Sequence, residues 1–180
     1  MRCLISILAA AAILAGCAYP EKRMIAAEHH QFDFLLGTWD VHATRRNPDG
    51  SLLQYQADWH AVSLDDGRMV MDEFRARGAD GKPVSSYVTL RTYALATRRW
   101  EMAGLASMQP AAPMKWQGEW RDGQMHVEAE GADPQGRTVR TRIRFFDIRA
   151  DAFAWESQVS LDGGAHWVQA ASLNAKRVAR

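Results

Sequence analysis

The sequence is poor in cysteine and has no excess of charge of either sign. Its 180 residues include two cysteines, Cys3 and Cys17, so the rest of the chain is not a disulfide-stapled scaffold. The 22 Lys and Arg residues nearly balance the 21 Asp and Glu residues, which excludes an acidic disordered tail and a broadly basic nucleic-acid-binding protein. Nucleophile-elbow, phosphate-loop and Cys-x-x-Cys motifs are also missing, so we expect no catalysis.

What the chain does have at its start is the pattern of an export signal. Leu4–Leu14 is an uncharged apolar run, too short for a bilayer span of about 20 residues but suited to the hydrophobic region of a secretory signal peptide. The sequence that follows it, Leu-Ala-Gly-Cys ending at Cys17, resembles the lipobox of bacterial lipoproteins, in which the cysteine is lipidated and becomes the first residue. The alternatives are an ordinary signal peptide cleaved near Ala18 and a short core helix.

These features predict three segments. Residues 1–16 are the lipoprotein signal peptide, residues 17–31 are the lipidated N-terminus and a tether, and residues 32–180 are the folded domain. The membrane is then a partner through lipidated Cys17, and Ala18 in place of aspartate favours the outer membrane, with the domain facing the periplasm. We expect His29 and His30 to be a solvated pair at the end of the tether.

The remaining sequence alternates apolar and polar residues between turn signals, which is typical of β-strands. Asp-Gly pairs, which suit tight hairpins, punctuate the chain five times. Ten candidate strands lie between Thr38 and Arg177. The prediction is an all-β fold, an up-and-down antiparallel β-barrel of about eight to ten strands, because closure removes exposed sheet edges. A β-sandwich is the structural alternative.

One face of each predicted strand is apolar, and in a barrel that face points inward. The face opposite Ile143 and Phe145 carries an arginine stripe, Arg140, Arg142 and Arg144, which predicts an outer surface. The inward faces give a candidate ligand cavity whose predicted walls are Trp39, Tyr55, Trp59, Met69, Met71, Trp100, Met102, Phe145 and Trp155. These rings either fill the interior or surround one small apolar ligand, and the pattern leaves both possibilities open.

Two motifs carry a family resemblance. The domain opens with Phe-Asp-Phe-x-x-Gly-x-Trp over Phe32–Trp39 and closes with Asp-Gly-Gly-x-x-Trp over Asp162–Trp167. In both it resembles a bacterial lipocalin-like (calycin) domain family of unknown function, which implies a calycin-type barrel. Gly37-x-Trp39 is also similar to the Gly-x-Trp of lipocalins, whose tryptophan packs at the closed end against a basic residue of the last strand. That resemblance implies a barrel-closure set of Gly37, Trp39 and Arg177, with Lys176 as the alternative cation.

No metal or cofactor is predicted. His42, Asp58 and His60 have suitable ligand types, but they alternate onto the polar face, which favours an exposed patch. Related barrels called nitrobindins hold haem through one histidine. Here His126 and His166 do not fall on a predicted inward face, so haem is not expected.

The sequence thus favours an envelope-anchored lipoprotein whose barrel binds or senses a small hydrophobic molecule or lipid. One alternative is a solid barrel that acts through its surface, with the arginine stripe as its contact. The other is an enzyme acting on a small apolar substrate, which a buried titratable group in the cavity would favour.

Overall fold

The structure is a computed structural model, and it describes residues 25–108, 112–133 and 135–179. The predicted signal peptide and Cys17 lie outside the described residues. The described residues form a 3-10 helix followed by ten strands, with a second, three-residue 3-10 turn, Asp65–Gly67, between the second and third strands. Their bounds are Ala27–Leu35 for the helix, then β1 Gly37–Arg46, β2 Leu52–Leu64, β3 Met69–Arg77, β4 Pro83–Ala94, β5 Arg99–Ala106, β6 Met114–Arg121, β7 Gln124–Ala132, β8 Thr138–Phe146, β9 Ala152–Ser160 and β10 Val168–Arg177.

The ten strands form a closed up-and-down barrel. Each strand pairs antiparallel with its neighbours in sequence, and β10 returns to pair with β1. The Trp39–Arg177 and Arg45–Ala171 pairs mark the ends of that last contact. The predicted barrel is confirmed and the β-sandwich alternative is wrong. Closure gives both edge strands a partner, which explains how a sheet of this length avoids exposing an edge.

The alternation of the sequence positions the core. On β1, Trp39, Val41 and Ala43 are buried while their neighbours are more exposed. On β8, Phe145 is buried and Arg142 is exposed. Because successive side chains point to opposite faces of a strand, this pattern directs mainly apolar side chains into the interior of the barrel.

The 3-10 helix Ala27–Leu35, hereafter the plug helix, closes one end of the barrel. Phe32 and Leu35 are fully buried against the strands, as the apolar sequence before β1 predicts. The helix includes residues 27–31, which the sequence assigned to the tether. The prediction of a solvated histidine pair is wrong for His29, which is buried with its ring 5.8 Å from Tyr93. His30 is exposed and bonds to Asp33.

The barrel therefore has two different ends. At the closed end, β1 begins and β10 ends beside the plug helix, and the loops β2–β3, β4–β5, β6–β7 and β8–β9 surround it. The opposite end, here called the mouth, carries the loops that start at residues 47, 78, 107, 133 and 161. Within the described ranges, no helix has the length and apolar character needed to cross a membrane.

The closing motif Asp162–Trp167 is a hairpin at the mouth, organised by one carboxylate. Asp162 accepts hydrogen bonds from the Ser160 hydroxyl at 2.7 Å and the His166 backbone N–H at 2.9 Å. Gly163 and Gly164 adopt left-handed φ values of 73° and 103°, which glycine tolerates best. The hydrogen bonds from His166 and Ser160 hold the pKa of Asp162 well below its usual range.

We expect Asp162→Asn to reduce the loss of stability in acid. A carboxylate with a lowered pKa in the folded state stabilises the protein above its unfolded pKa of about 3.9, and that contribution disappears as the pH falls toward the folded value. Thermal unfolding from neutral pH to acid should therefore show a steeper decline for wild type than for Asp162→Asn. The control is Asp151→Asn, at an exposed aspartate, and it should follow wild type. Equal slopes for all three proteins would contradict this role of Asp162.

Candidate ligand cavity

The residues expected to close the barrel meet at its closed end. The guanidinium carbon of Arg177 lies 4.0 Å from the ring centroid of Trp39, within range of a cation–π contact. Trp39 is fully buried, and its indole N–H donates to the Leu35 carbonyl at 2.8 Å. Gly37 has φ +114°, and a Cβ there would lie 2.5 Å from Arg177 Nη1, so the position requires glycine. Lys176 alternates to the outer face. These contacts fix the plug helix to the barrel.

A cavity of about 410 Å³ lies above the plug helix and extends toward the mouth. This volume is in the range that holds one small-molecule ligand. Most of its wall is aromatic, aliphatic or thioether, with several hydroxyl groups and one ion pair. The lining residues are Tyr55, Trp59, Asp72, Phe74, Ser85, Tyr87, Thr89, Arg91, Met102, Met114, Trp116, Val127, Thr141, Ile143, Phe145, Trp155, Ser157 and Leu173.

Seven of the nine predicted wall residues point into the barrel, but not all of them reach the cavity. Those that line it are Tyr55, Trp59, Met102, Phe145 and Trp155. Trp39 and Trp100 are fully buried in the packing around the plug helix. The Trp100 ring meets Phe32 edge-on at 4.8 Å, and its N–H donates to Gln31. The two rings belong to the closed end of the core, below the cavity.

The prediction is wrong for Met69 and Met71, which lie on the outer face of β3. The register pairs Trp59 with Phe74 and Ala61 with Asp72. The inward residues of β3 are therefore Val70, Asp72, Phe74 and Ala76, and the methionines alternate outward. Both faces of this strand carry apolar residues, so its alternation alone does not distinguish inside from outside.

Sequence reasoning missed the ion pair of the cavity, Asp72 with Arg91. The two residues come from the adjacent strands β3 and β4, and their exposed fractions are only 2% and 5%. Arg91 Nη1 contacts Asp72 Oδ2, and the Trp59 indole donates to Asp72 Oδ1 at 2.7 Å. The Arg91 guanidinium also lies over the Phe32 ring of the plug helix, 5.0 Å from its centroid. The pair thus forms part of the cavity floor.

The sequence carried only part of a signal for this pair. Asp72 stands between Val70 and Phe74 on β3, and a charge among apolar residues of a strand needs a partner if it is buried. On β4, however, Val84, Val88 and Leu90 lie in the phase opposite to Arg91, so the sequence alone does not place Arg91 inside.

The protonation states in the cavity follow from burial. Burial lowers the pKa of Arg91 to about 9, which leaves the guanidinium charged at neutral pH, and the adjacent carboxylate of Asp72 favours the charged form. Burial raises the pKa of Tyr55 and of Tyr87, so both phenols stay neutral and available for hydrogen bonds. The Tyr87 hydroxyl donates to Met114 Sδ at 3.4 Å. The cavity at neutral pH therefore contains one ion pair among neutral groups.

The arginine stripe on the outer face of β8 is occupied by contacts within the barrel. Arg144 pairs with Glu156 at 2.9 Å, and Arg142 donates to Gln158 at 2.5 Å. Arg140 donates to the Gly163 carbonyl at 3.0 Å. Because each guanidinium already has an acceptor, the stripe is a weaker candidate for an anionic partner than its sequence suggested.

The candidate metal ligands also lie on the outer face. Asp58 forms an ion pair with Arg77 at 3.4 Å, and His60 shares a hydrogen bond with Thr38 at 3.1 Å. His42 is exposed on β1. Among the residues that the structure describes, no group of three His, Cys, Asp or Glu side chains is placed to hold a metal ion.

The fold and the cavity together define the class of this protein, a ten-stranded lipocalin-like barrel with an interior cavity. The chain belongs to the family described as "Protein of unknown function (DUF1579)", which matches residues 25–177. No curated protein matches the sequence significantly.

Two solved structures share the fold. Rv2717c from M. tuberculosis has 15% sequence identity and a TM-score of 0.59, with 87% of this chain and 100% of that chain covered. The S-type phycobiliprotein lyase CPES from Guillardia theta has 12% identity and a TM-score of 0.58, with 83% of this chain and 91% of that chain covered. At these identities the similarity establishes the barrel fold alone.

Proposed function

We propose that this protein binds one small, mostly apolar molecule inside its barrel and acts as a carrier or sensor, without catalysis. The observation that carries the proposal is the cavity of about 410 Å³, which remains open although many large rings project into the barrel. Tryptophan offers flat apolar area and one hydrogen-bond donor, and methionine adapts to the shape of a guest. A wall that combines Trp59, Trp116, Trp155 and Met102 suits such a ligand.

The cavity also argues against the two alternatives. A solid barrel needs side chains to fill the space between the plug helix and the mouth, and that space is lined rather than filled. A buried titratable group in the cavity, the feature that would favour an enzyme, is present in Asp72. Its oxygens contact Arg91 and Trp59, and this pairing favours a structural or binding role for the carboxylate over acid–base catalysis.

The proposal includes a lipid anchor at Cys17, which holds the barrel at the periplasmic face of the outer membrane. Ile25 lies at the closed end, close to Gly67, and the plug helix follows it directly. An anchor before Ile25 therefore attaches to the closed end, through a segment that spans at most about 25–30 Å. The mouth then faces away from the anchoring bilayer, and a ligand exchanges with the aqueous compartment or with a partner there.

Lipidation can be tested by metabolic labelling with an alkynyl fatty acid. We expect the wild-type chain to be labelled and Cys17→Ala to lose the label completely, because Cys17 is the only cysteine in the proposed mature chain and lipidation of the chain depends on that residue. Cys3→Ala is the matched control, since Cys3 lies in the proposed signal peptide, and it should be labelled like wild type. Labelling that persists in Cys17→Ala would refute the anchor.

Ligand binding can be tested by blocking the cavity. Thr141 lines the cavity on β8, while Thr138 alternates to the outer face of the same strand. We expect Thr141→Trp to weaken binding of the apolar dye Nile red about tenfold or more, because the new ring occupies the ligand's volume. Thr138→Trp should bind the dye like wild type.

The test uses residues 18–180, exported with a cleavable signal peptide that has no lipidation site. This part includes the plug helix and all ten strands, so it contains the entire closed barrel. Both variants must retain the circular dichroism spectrum and cooperative melting of wild type. Equal dye binding by Thr141→Trp and Thr138→Trp would place the dye outside the barrel and contradict the proposed function.

A further inference from the structure

The cavity floor has more hydrogen-bond donors than acceptors. A guanidinium has five N–H donors and no acceptor. Arg91 Nη1 contacts Asp72 Oδ2 as an ion pair, and the Trp59 indole N–H donates to Asp72 Oδ1. Among the described residues, Arg91 Nε, Arg91 Nη1 and Asp72 Oδ2 have no partner in hydrogen-bond geometry. Even with the ion pair counted, the guanidinium therefore keeps N–H groups that have no acceptor. A ligand group that accepts hydrogen bonds would therefore satisfy the polar atoms of this floor best.

The cavity has no net charge to balance a charged ligand. Asp72 and Arg91 are the two charged residues of its wall, and they neutralise each other. The other polar groups near the floor are hydroxyls, such as those of Thr89 and Ser157. An ionised ligand group would lose its hydration here without gaining an unpaired counter-charge, which is unfavourable in an apolar cavity.

From these two observations we infer that the ligand is uncharged and carries a hydrogen-bond acceptor of the carbonyl type, such as an ester, ketone or amide, which Arg91 receives at the cavity floor. The rest of the ligand is apolar and extends toward Tyr55, Tyr87 and Met114 near the mouth. This inference rests on the proposed function and narrows it to a class of ligand.

The geometry also assigns a role to the ion pair. Asp72 holds one edge of the Arg91 guanidinium, and Phe32 covers its face at 5.0 Å from the ring centroid. The side chain is thus fixed before a ligand arrives. A hydrogen bond to a donor that is already oriented contributes more binding free energy than one to a mobile donor, because the oriented donor loses little conformational freedom on binding.

The inference can be tested with four probes of similar alkyl chain: methyl decanoate, undecane, decanoate and decylamine. Binding is followed by the fluorescence of the cavity tryptophans in residues 18–180, and by displacement of Nile red. We expect wild type to prefer methyl decanoate to both charged compounds. In the double variant Asp72→Leu/Arg91→Met, the affinity ratio of methyl decanoate to undecane should fall about tenfold or more, because a hydrogen bond from a charged donor is lost. Because the same ratio of two affinities is compared between wild type and variant, the free energy of removing each probe from water cancels.

A matched control exchanges an ion pair on the outer face. Arg144 and Glu156 pair on the outside of β8 and β9, so Arg144→Met/Glu156→Leu should keep the wild-type ratio. An unchanged ratio in the cavity variant, with undecane still bound, would overturn the inference and leave the proposed function standing. Tightest binding by decanoate or decylamine would overturn the uncharged class. If none of the probes binds, undecane included, the proposed function fails and the inference fails with it.

Discussion

Replacing Arg91 with methionine is expected to destabilise the barrel by about 3–5 kcal/mol, because the substitution leaves Asp72 as a buried charge without its cation. Trp59 would remain as the donor to that carboxylate, and one hydrogen bond from a neutral indole does not replace an ion pair. Urea-induced unfolding at neutral pH measures the loss directly. A protein of ordinary stability, about 5–15 kcal/mol, would keep enough folded population for the measurement.

The double variant Asp72→Leu/Arg91→Met is expected to recover at least about 2 kcal/mol of that loss. Replacing both members of a buried pair by apolar residues removes the uncompensated charge. Full recovery is not expected, because the Trp59 N–H loses its acceptor and a buried donor without a partner costs about 1–3 kcal/mol. The double variant therefore also supplies a folded protein for the ligand measurements.

The outer pair of Arg144 and Glu156 provides the comparison. Its side chains are 39% and 25% exposed, and pairs at such sites contribute about 0–1 kcal/mol. Arg144→Met should therefore cost far less than Arg91→Met. Similar small losses for the two single variants would mean that Arg91 and Asp72 are hydrated in solution, and would contradict the closed floor described above.

Trp39→Ala should destabilise the barrel by about 3–5 kcal/mol, the range for removing a large aromatic side chain from a packed core. The ring is fully buried and meets Phe153 edge-on at 4.8 Å. The substitution also removes the hydrogen bond to Leu35 and the aromatic face beneath Arg177. The plug helix would lose part of its attachment together with the core packing.

Trp167→Ala is the matched control for that substitution. Trp167 is only half-buried in the mouth hairpin, where its N–H donates to Gly164 and Arg142 lies over its ring. Its removal should cost clearly less than removal of Trp39, as measured by the same denaturant titration. Equal losses, or an unchanged midpoint for Trp39→Ala, would show that the closed end does not depend on this tryptophan.

The fold could be predicted because the strands of this barrel carry a clear alternation. On β1 and β2 the inward phase is mainly apolar, and on β8 Thr141 is its one polar member, so inside and outside follow from the sequence. On β3 both phases contain apolar residues, and Met69 and Met71 were assigned to the wrong face. The register with β2, which pairs Trp59 with Phe74 and Ala61 with Asp72, places the methionines outside, and the periodicity of one strand does not contain that register.

The extent of the cavity was less predictable than its location. Alternation indicates that Trp39 and Trp100 point inward, but not that the plug helix packs against them and removes them from the ligand space. The same helix buries His29 against Tyr93. The sequence of this short 3-10 helix has no sustained apolar period that would mark where the helix begins. For that reason the sequence analysis assigns residues 27–31 to the tether.

The central claim is that the barrel interior holds one small, uncharged, mostly apolar molecule. Its most direct test is extraction and mass spectrometry of residues 18–180 purified from the periplasm without detergent, with Thr141→Trp and Thr138→Trp purified in parallel. We predict one defined carbonyl-containing compound, near one molecule per chain, in wild type and Thr138→Trp and absent from Thr141→Trp. The same compound in equal amount from all three proteins would contradict binding in the cavity.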